Sequence, residues 1–432
     1  MSIRVLLVNP GQPDIEKHGA VEKLPPLGLC YLAAVLERDG VHCDIFDNYL
    51  TQWSNESLIH LAEQYDVIGI TGLTATSLEA IKIAKQLQHK FLICGGPHAT
   101  LFPEQMLQYF NCVVKGEGEQ VITNIVKNRL TGIIDGIRTE VLDVLPMPAR
   151  HKLPMQRYPH QNEFLKAKNV YSLNTSRGCP YNCSFCSVRT IWGRSYRAFT
   201  PGRVADEIRR LIVDYNADGI YFREDNFTFD RNRVINICRL ISGWELEWVC
   251  ESRVEHLDED LIRIMHSAGC RGMWFGTESG SNRVLKMMHK GVNKEKAVET
   301  FALCRKYGIK TGASFMLGIP GETRKEMYET LWFANELDSY HTWFNYYLGI
   351  PGSDLYNQVI QEKTYERLDE RGYAWVRVGG MTSDQMIAFH RWIKFLFHIL
   401  KPKRLFRLLF QTPPRAWIMA LLKMSKIYKV RL

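Results

Sequence analysis

The sequence predicts an α/β protein: a Rossmann-like parallel sheet, then a partial (β/α)6 barrel, then a helical C-terminal region. Three observations predict it. Short apolar runs alternate with segments of helical spacing along most of the chain. The runs end in turns rich in Gly, Pro or Thr. A stretch rich in Pro, Lys and His over residues 146–168 splits the alternation into two series. The expected units are therefore 1–145, a linker at 146–168, 169–355, and 356–432. A chain of 432 residues, at roughly 150 per domain, holds two or three domains.

In the first series, Ile3–Asn9 reads as a buried strand and Leu27–Arg38 as a helix, because Leu29, Leu32, Ala33 and Leu36 fall on one face. Strand His42–Phe46 and helix Glu56–Gln64 follow, then strand Val67–Thr71 and helix Ser77–Gln88. Phe91–Cys94 and Cys112–Val114 read as further strands. The second series has strands at Tyr171–Thr175, Gly219–Arg223, Glu247–Cys250, Gly272–Phe275, Lys310–Phe315 and Thr342–Tyr347. Helices are expected between them at Arg203–Tyr215, Arg231–Ile241, Glu259–Ala268, Lys294–Tyr307 and Arg324–Leu337. Six strands are too few for eightfold closure, so the barrel is partial. The last 75 or so residues read as helical, without strand alternation.

In an open parallel sheet, the turns that leave the strands lie on one edge, where helix N-termini and free N–H groups meet a ligand. Four glycine-bearing turns fall there: Asn9-Pro10-Gly11, Thr71-Gly72-Leu73-Thr74, Gly95-Gly96-Pro97-His98 and Gly116-Glu117-Gly118-Glu119. One such turn serves packing alone as readily as binding. Four on one edge point to a ligand site.

Hydrophobic residues at 46% and charged residues at 23% are those of a folded globular chain rather than a disordered one. The N-terminus reads as a strand, not an export signal, and no apolar run reaches the ~18 residues of a membrane span. The expected compartment is the cytoplasm, so the eleven cysteines read as core fillers, metal ligands or reactive thiols rather than disulfides. Formal charge is +9, but residues from Gln385 onward carry eleven Lys or Arg and no Asp or Glu. The rest of the chain therefore sums to −2, which argues against nucleic acid as a partner.

The chemistry concentrates at Cys179, Cys183 and Cys186, on a Gly- and Pro-bearing loop after the first strand of the second series. Three close thiolates bind soft metal. Structural zinc wants four ligands, and no nearby Cys or His supplies a fourth. A cubane iron–sulfur cluster with three protein ligands leaves one iron free.

Cys-x3-Cys-x2-Cys with Phe185 before the last Cys resembles the signature of radical SAM enzymes. The resemblance implies a [4Fe-4S] cluster on these three cysteines, whose free iron chelates S-adenosylmethionine. One electron then cleaves the sulfonium bond to give methionine and a 5′-deoxyadenosyl radical, which abstracts hydrogen from an unreactive carbon. It further implies that Phe185, Asp225, Arg253, Glu278, Ser279, Gly318 and Ile319 contact SAM. Asp225 lies in Arg223-Glu224-Asp225-Asn226, where relatives bind the methionine amino group; this chain has Glu224-Asp225 in place of the Gly-Gly-Glu of other branches. Arg253 would pair the carboxylate, as a fixed guanidinium fork suits. Glu278, followed by Ser279, would accept from the ribose, and the backbone at Gly318 and Ile319 would line the adenine. A flavodoxin or ferredoxin is the electron donor that the resemblance implies.

An α/β domain ahead of such a barrel resembles the cobalamin-binding branch of the same superfamily, which includes methyltransferases and the anaerobic Mg-protoporphyrin cyclase group. Pro25-Pro26-Leu27-Gly28, Gly95-Gly96-Pro97-His98-Ala99-Thr100 and Gly116-Glu117-Gly118-Glu119 carry that resemblance. It implies cobalamin at the sheet edge, against Thr71, Gly72, Thr74, Gly95, Gly96, Pro97, His98, Gly116 and Glu117. The Asp-x-His-x-x-Gly motif whose His ligates cobalt in many relatives is missing, and His98 reads as a helix-start residue rather than a cobalt ligand. The activity implied is methylation of an unactivated carbon in a small-molecule or lipophilic substrate. Radical oxidation or cyclisation is the enzymatic alternative, and a metal-stabilised cobalamin-binding module the non-enzymatic one. Trp392–Leu400, Leu405–Phe410 and Arg415–Leu432 mix aromatic, Leu, Lys and Arg residues. They read either as a helical cap on the barrel with a solvated basic face, or as helices in peripheral contact with an anionic membrane.

Overall fold

The computed structural model describes residues 3–11, 24–402 and 404. Its first sheet has six parallel strands: β1 (Arg4–Asn9), β2 (His42–Asp47), β3 (Val67–Thr71), β4 (Phe91–Gly95), β5 (Cys112–Lys115) and β6 (Gly132–Asp135), in the order β2-β1-β3-β4-β5-β6. The apolar runs of β1 and β3 are buried on both faces, as central parallel strands require. The helix Leu27–Arg38 covers one face; of the stripe expected from its sequence, Leu29, Ala33 and Leu36 are buried and Leu32 is half-buried. The order reverses between β1 and β3. That reversal opens a crevice at the carboxyl ends of these two strands.

The second sheet comprises β7 (Val170–Leu173), β10 (Gly219–Phe222), β11 (Glu247–Ser252), β12 (Cys270–Glu278), β13 (Lys310–Leu317) and β14 (His341–Tyr346). They lie side by side in chain order, all parallel, with helices between. No pairing closes β14 onto β7 among the described residues, so the barrel is partial. Its outward face packs Trp248, Phe275 and Phe315 against the helices. Its inward face is plugged by Phe164 from the linker, against Val249, Tyr221 and Trp274. Gly272 and Gly312 make room for that plug. A Cβ on Gly272 would meet Phe164 at 2.5 Å, and one on Gly312 would meet Trp274 at 2.2 Å. Two further strands, β8 (Ser176–Arg177) and β9 (Arg197–Ala198), form a small antiparallel hairpin whose loop bears the cysteines.

Three expectations need correction. The edge strand β6 was not anticipated; it has four residues and half its side chains face solvent, so it lacks an apolar run. The strand expected over Tyr171–Thr175 ends at Leu173, because Ser176–Arg177 turn away into the hairpin. The C-terminal region is not helical throughout: β15 (Tyr365–Leu368) pairs antiparallel with β16 (Ala374–Val376) before the helix Ser383–Ile399. That helix buries Met386, Ile393 and Phe397 in the main core, and His390 Nε2 lies against the Phe344 carbonyl of β14. Trp392–Leu400 is thus part of a cap on the barrel. Leu405–Phe410 and Arg415–Leu432 lie outside the described residues. No described helix is long and apolar enough to cross a membrane.

Candidate functional site

A cavity of about 460 Å3 occupies the crevice of the first sheet. Its walls come from the carboxyl ends of β1, β3, β4 and β5, with Ile191, Trp192 and Arg223 of the second series closing the far side. The lining is largely apolar, with glycine turns at the rim, which suits a large organic ligand held by shape and backbone contacts. Of the residues expected there, Thr71, Gly95, Gly96, Pro97, Gly116 and Glu117 line it. Gly72, Thr74 and His98 do not. Gly72 is spent on the loop's own bonds: its N–H reaches the Gly95 carbonyl and its carbonyl accepts from His98 N–H. The His98 ring is fully buried behind the turn, beside Thr74 and Phe102. Burial depresses its basicity to about 4, so it stays neutral. Gly96 is required for geometry: it has φ +97°, and a Cβ would meet Thr71 Oγ1 at 2.8 Å.

The cysteine loop sits at the mouth of the barrel. Ser184 N–H donates to the Met288 carbonyl, and the Ser184 carbonyl accepts from Leu355 N–H, so the loop is pinned between two helices. The Cys179 and Cys186 thiols lie close enough to each other, to Cys183 and to Asp225 for their charges to interact. Burial raises both thiols, Cys186 to about 11; ligation to a metal would reverse that, since the ligand is the thiolate. Among the described residues, no three His, Cys, Asp or Glu side chains converge as ligands of a single ion. Zn–S bonds of ~2.3 Å would bring tetrahedral sulfurs to within about 3.8 Å of one another. A cubane spreads its ligands over separate irons. Three thiols on one loop are the ligand set of a cluster with one open iron, whereas structural zinc wants a fourth ligand.

Arg253, at the end of β11, is nearly buried, with Nη1 3.7 Å from Cys183 Sγ. Its fork is fixed by Glu255 and by the Tyr181 ring, 3.9 Å away. Asp225 is open to the barrel mouth yet hemmed in by protein, and that enclosure lifts its carboxyl to about 6. A buried cation and a carboxylate on adjacent strand ends, both beside the thiols, match the two charges of an amino acid. Phe185 packs at the margin of the main core. Glu278 has φ +62°, at a bulge where β12 leaves β13. Gly276 makes room for its carboxylate, which Lys290 holds at 3.2 Å.

Three expected SAM contacts have polar groups already engaged within the protein. Ser279 is fully buried, and its hydroxyl bonds Thr330 of the helix Arg324–Leu337 and Ser281 N–H. The N–H groups of Gly318 and Ile319 both donate to Glu322 Oε2, at 2.6 and 3.0 Å. Their amides are therefore spent within the loop, and only side-chain and carbonyl contacts remain for a ligand. Burial lifts the Glu322 carboxyl to about 7, outweighing those two amides. Because the folded value lies above the unfolded 4.5, the native state holds more protons between roughly pH 4.5 and 7, and stability falls as pH rises through that window. Glu322→Gln keeps an acceptor for both amides without the charge. It is expected to match wild type near pH 4.5 and to exceed it by about 3 kcal/mol at pH 8, read by denaturant unfolding at both pH values. Parallel stabilities across that range would show that Glu322 does not titrate there.

Several residues around the site escape a reading from sequence. Asn226 is fully buried with Oδ1 unpartnered. His256 Nε2 lies in hydrogen-bond contact with the Tyr181 hydroxyl at 2.6 Å. Lys290 and Glu322 each act on a residue that sequence did identify. The available signal was their proximity to the Cys, Thr-Glu and Gly-Ile-Pro-Gly motifs.

Comparison with known proteins completes the picture. The radical SAM superfamily model matches residues 173–334, and the B12 binding domain model matches residues 19–126. An uncharacterised methyltransferase of Pyrococcus horikoshii is 31% identical, over 95% of this chain and 95% of its own. The anaerobic magnesium-protoporphyrin IX monomethyl ester cyclase of Rubrivivax gelatinosus is 28% identical, over 83% of this chain and 70% of its own. The solved structure of OxsB, a cobalamin-dependent S-adenosylmethionine radical enzyme, superposes with TM-score 0.75 at 17% identity, over 94% of this chain and 70% of that one.

Proposed function

The chain belongs to the radical SAM superfamily and carries its B12-binding domain, and from that premise we propose that it is a cobalamin-dependent enzyme that methylates an unactivated carbon of a small molecule. The observation that carries the reading is the placement of two sites side by side: a glycine-rimmed cavity on the first sheet, closed by Trp192 and Arg223, next to the cysteine loop of the second. Cys179, Cys183 and Cys186 would hold the [4Fe-4S] cluster. Arg253 and Asp225 would take the carboxylate and amino groups of SAM, and Glu278, steadied by Lys290, would accept from its ribose. Thr71, Gly95, Gly96, Pro97 and Gly116 would rim the cobalamin. When bound, these groups supply reductive cleavage of a sulfonium bond, a radical that takes hydrogen from carbon, and a carrier for methyl.

What the chain itself contributes is orientation and exclusion of water. Arg253 is pre-set by Glu255 and Tyr181, so little freedom is lost when it pairs a carboxylate. Asp225, with its carboxyl at about 6, is mostly ionised at pH 7 and can accept from an ammonium. The Phe164–Trp274 plug closes the barrel floor against water. A flavodoxin or ferredoxin is the proposed electron donor. The relatives named as cyclases give the competing outcome, a radical cyclisation on the same architecture.

The test is anaerobic incubation with SAM, a reductant and hydroxocobalamin. Methyl transfer requires 5′-deoxyadenosine together with S-adenosylhomocysteine, the latter dependent on added hydroxocobalamin. Deoxyadenosine alone would favour oxidation or cyclisation. If neither product forms, the reading is overturned.

A further inference from the structure

Glu117 and Glu119 stand on the turn after β5, at the rim of the cavity. Their carboxylates meet two guanidiniums from the β8–β9 hairpin that carries the cysteine loop. Arg177 Nη1 donates to Glu117 Oε2 at 2.7 Å, and Nη2 donates to Glu119 Oε1 at 2.6 Å. Arg197 Nη2 donates to Glu117 Oε1, and its Nη1 to the Thr139 carbonyl. All four charged side chains are under one-tenth exposed. Burial alone would raise the Glu117 carboxyl, but Arg197 and Arg177 outweigh it and hold Glu117 ionised. Arg177 also lies between the rings of Tyr31, at 5.6 Å, and Trp192, at 5.2 Å; Trp192 lines the cavity.

The link from Arg177 to the first cysteine is a single residue. Gly178 has φ +82°, and the Ser195 carbonyl would lie 2.5 Å from a Cβ there. The hairpin thus fixes the backbone between Arg177 and Cys179. A ligand that orders the Gly116–Glu119 turn must order Glu117, and with it Arg177 and the start of the cysteine loop.

We propose that the two sites are thermodynamically coupled through this buried ion-pair network, with Glu117 as the shared positioning residue. Occupancy of the cavity and assembly of the cluster each strengthen the other, since such coupling is reciprocal by linkage. The proposal rests on the cobalamin reading above.

The experiment titrates full-length protein anaerobically with hydroxocobalamin, before and after cluster reconstitution, following absorbance. The affinity is expected to rise about tenfold with the cluster in place. Amide hydrogen exchange over residues 176–187 is expected to slow when hydroxocobalamin is added to cluster-free protein. Arg177→Gln, which removes the guanidinium that Glu117 and Glu119 share, is expected to bind hydroxocobalamin still, with the dependence on the cluster reduced to about twofold or less and the exchange response lost. Equal affinities in the two wild-type states would overturn the proposal, whatever the variant does. So would an unchanged tenfold effect in Arg177→Gln, or complete loss of cobalamin binding there, which would make Arg177 part of the cavity rather than of the link. Should wild type bind no hydroxocobalamin in either state, the cobalamin reading falls first and the coupling with it.

Discussion

Cys183→Ala is expected to abolish reductive cleavage of SAM and to empty the cluster site, from about four irons per chain to fewer than one. Three thiolates are the least that leave one iron open while holding the others, so losing one leaves a cluster with two anchors. Arg253, whose guanidinium lies 3.7 Å from Cys183 Sγ, would face an empty loop rather than the amino acid end of SAM. The control is Cys304→Ala. Cys304 is fully buried in the main core, so its loss costs packing but leaves the iron content unchanged. Iron and sulfide assays with deoxyadenosine measurement on both variants check this. Wild-type cleavage by Cys183→Ala would remove the cysteine assignment.

Glu207→Ala carries the largest expected effect on stability. Arg150 of the linker donates to Glu207 Oε1 at 2.6 Å and to the Ser172 carbonyl of β7 at 3.2 Å, and both members of the pair are about 95% buried. Burial would lower the Arg150 basicity, but Glu207 more than restores it. Removing the carboxylate leaves a guanidinium buried without its counter-charge, at a cost of about 3–5 kcal/mol. The pair fastens the linker and the first barrel strand to the helix Pro201–Tyr215. Denaturant unfolding should therefore shift strongly, while deoxyadenosine formed per folded molecule stays near wild type. A shift under 1 kcal/mol would mean that water reaches Arg150.

Elements whose signal is local were legible in the sequence. The helix Leu27–Arg38 was bounded correctly because Pro25-Pro26 precede it and Asp39-Gly40 follow its apolar stripe. Strands such as β1, β3, β4, β7 and β10 were legible as runs buried on two faces. β6 and the β15–β16 hairpin were not, because edge and hairpin strands with exposed side chains have no such run. The cysteine loop was legible because its spacing is short and its residue type rare. The long-range parts of the site were not. Glu117 finds Arg177 and Arg197 at separations of 60 and 80 residues, so nothing near the Gly-Glu-Gly-Glu turn shows that its carboxylate is engaged. Gly318 and Ile319 looked free because the glutamate that folds back on their amides uses backbone geometry, not pattern. His98 looked available for the same reason: its burial depends on Phe102 and the loop beneath it.

The central claim is an iron–sulfur cluster on Cys179, Cys183 and Cys186 with one coordination position left for SAM. It is tested most directly by electron paramagnetic resonance of anaerobically prepared, dithionite-reduced protein, with iron and sulfide counted on the same sample. About four iron and four sulfide per chain are expected, with a reduced-cluster signal that changes on addition of SAM. A colourless protein with one tightly held zinc, or a cluster signal indifferent to SAM, would contradict it.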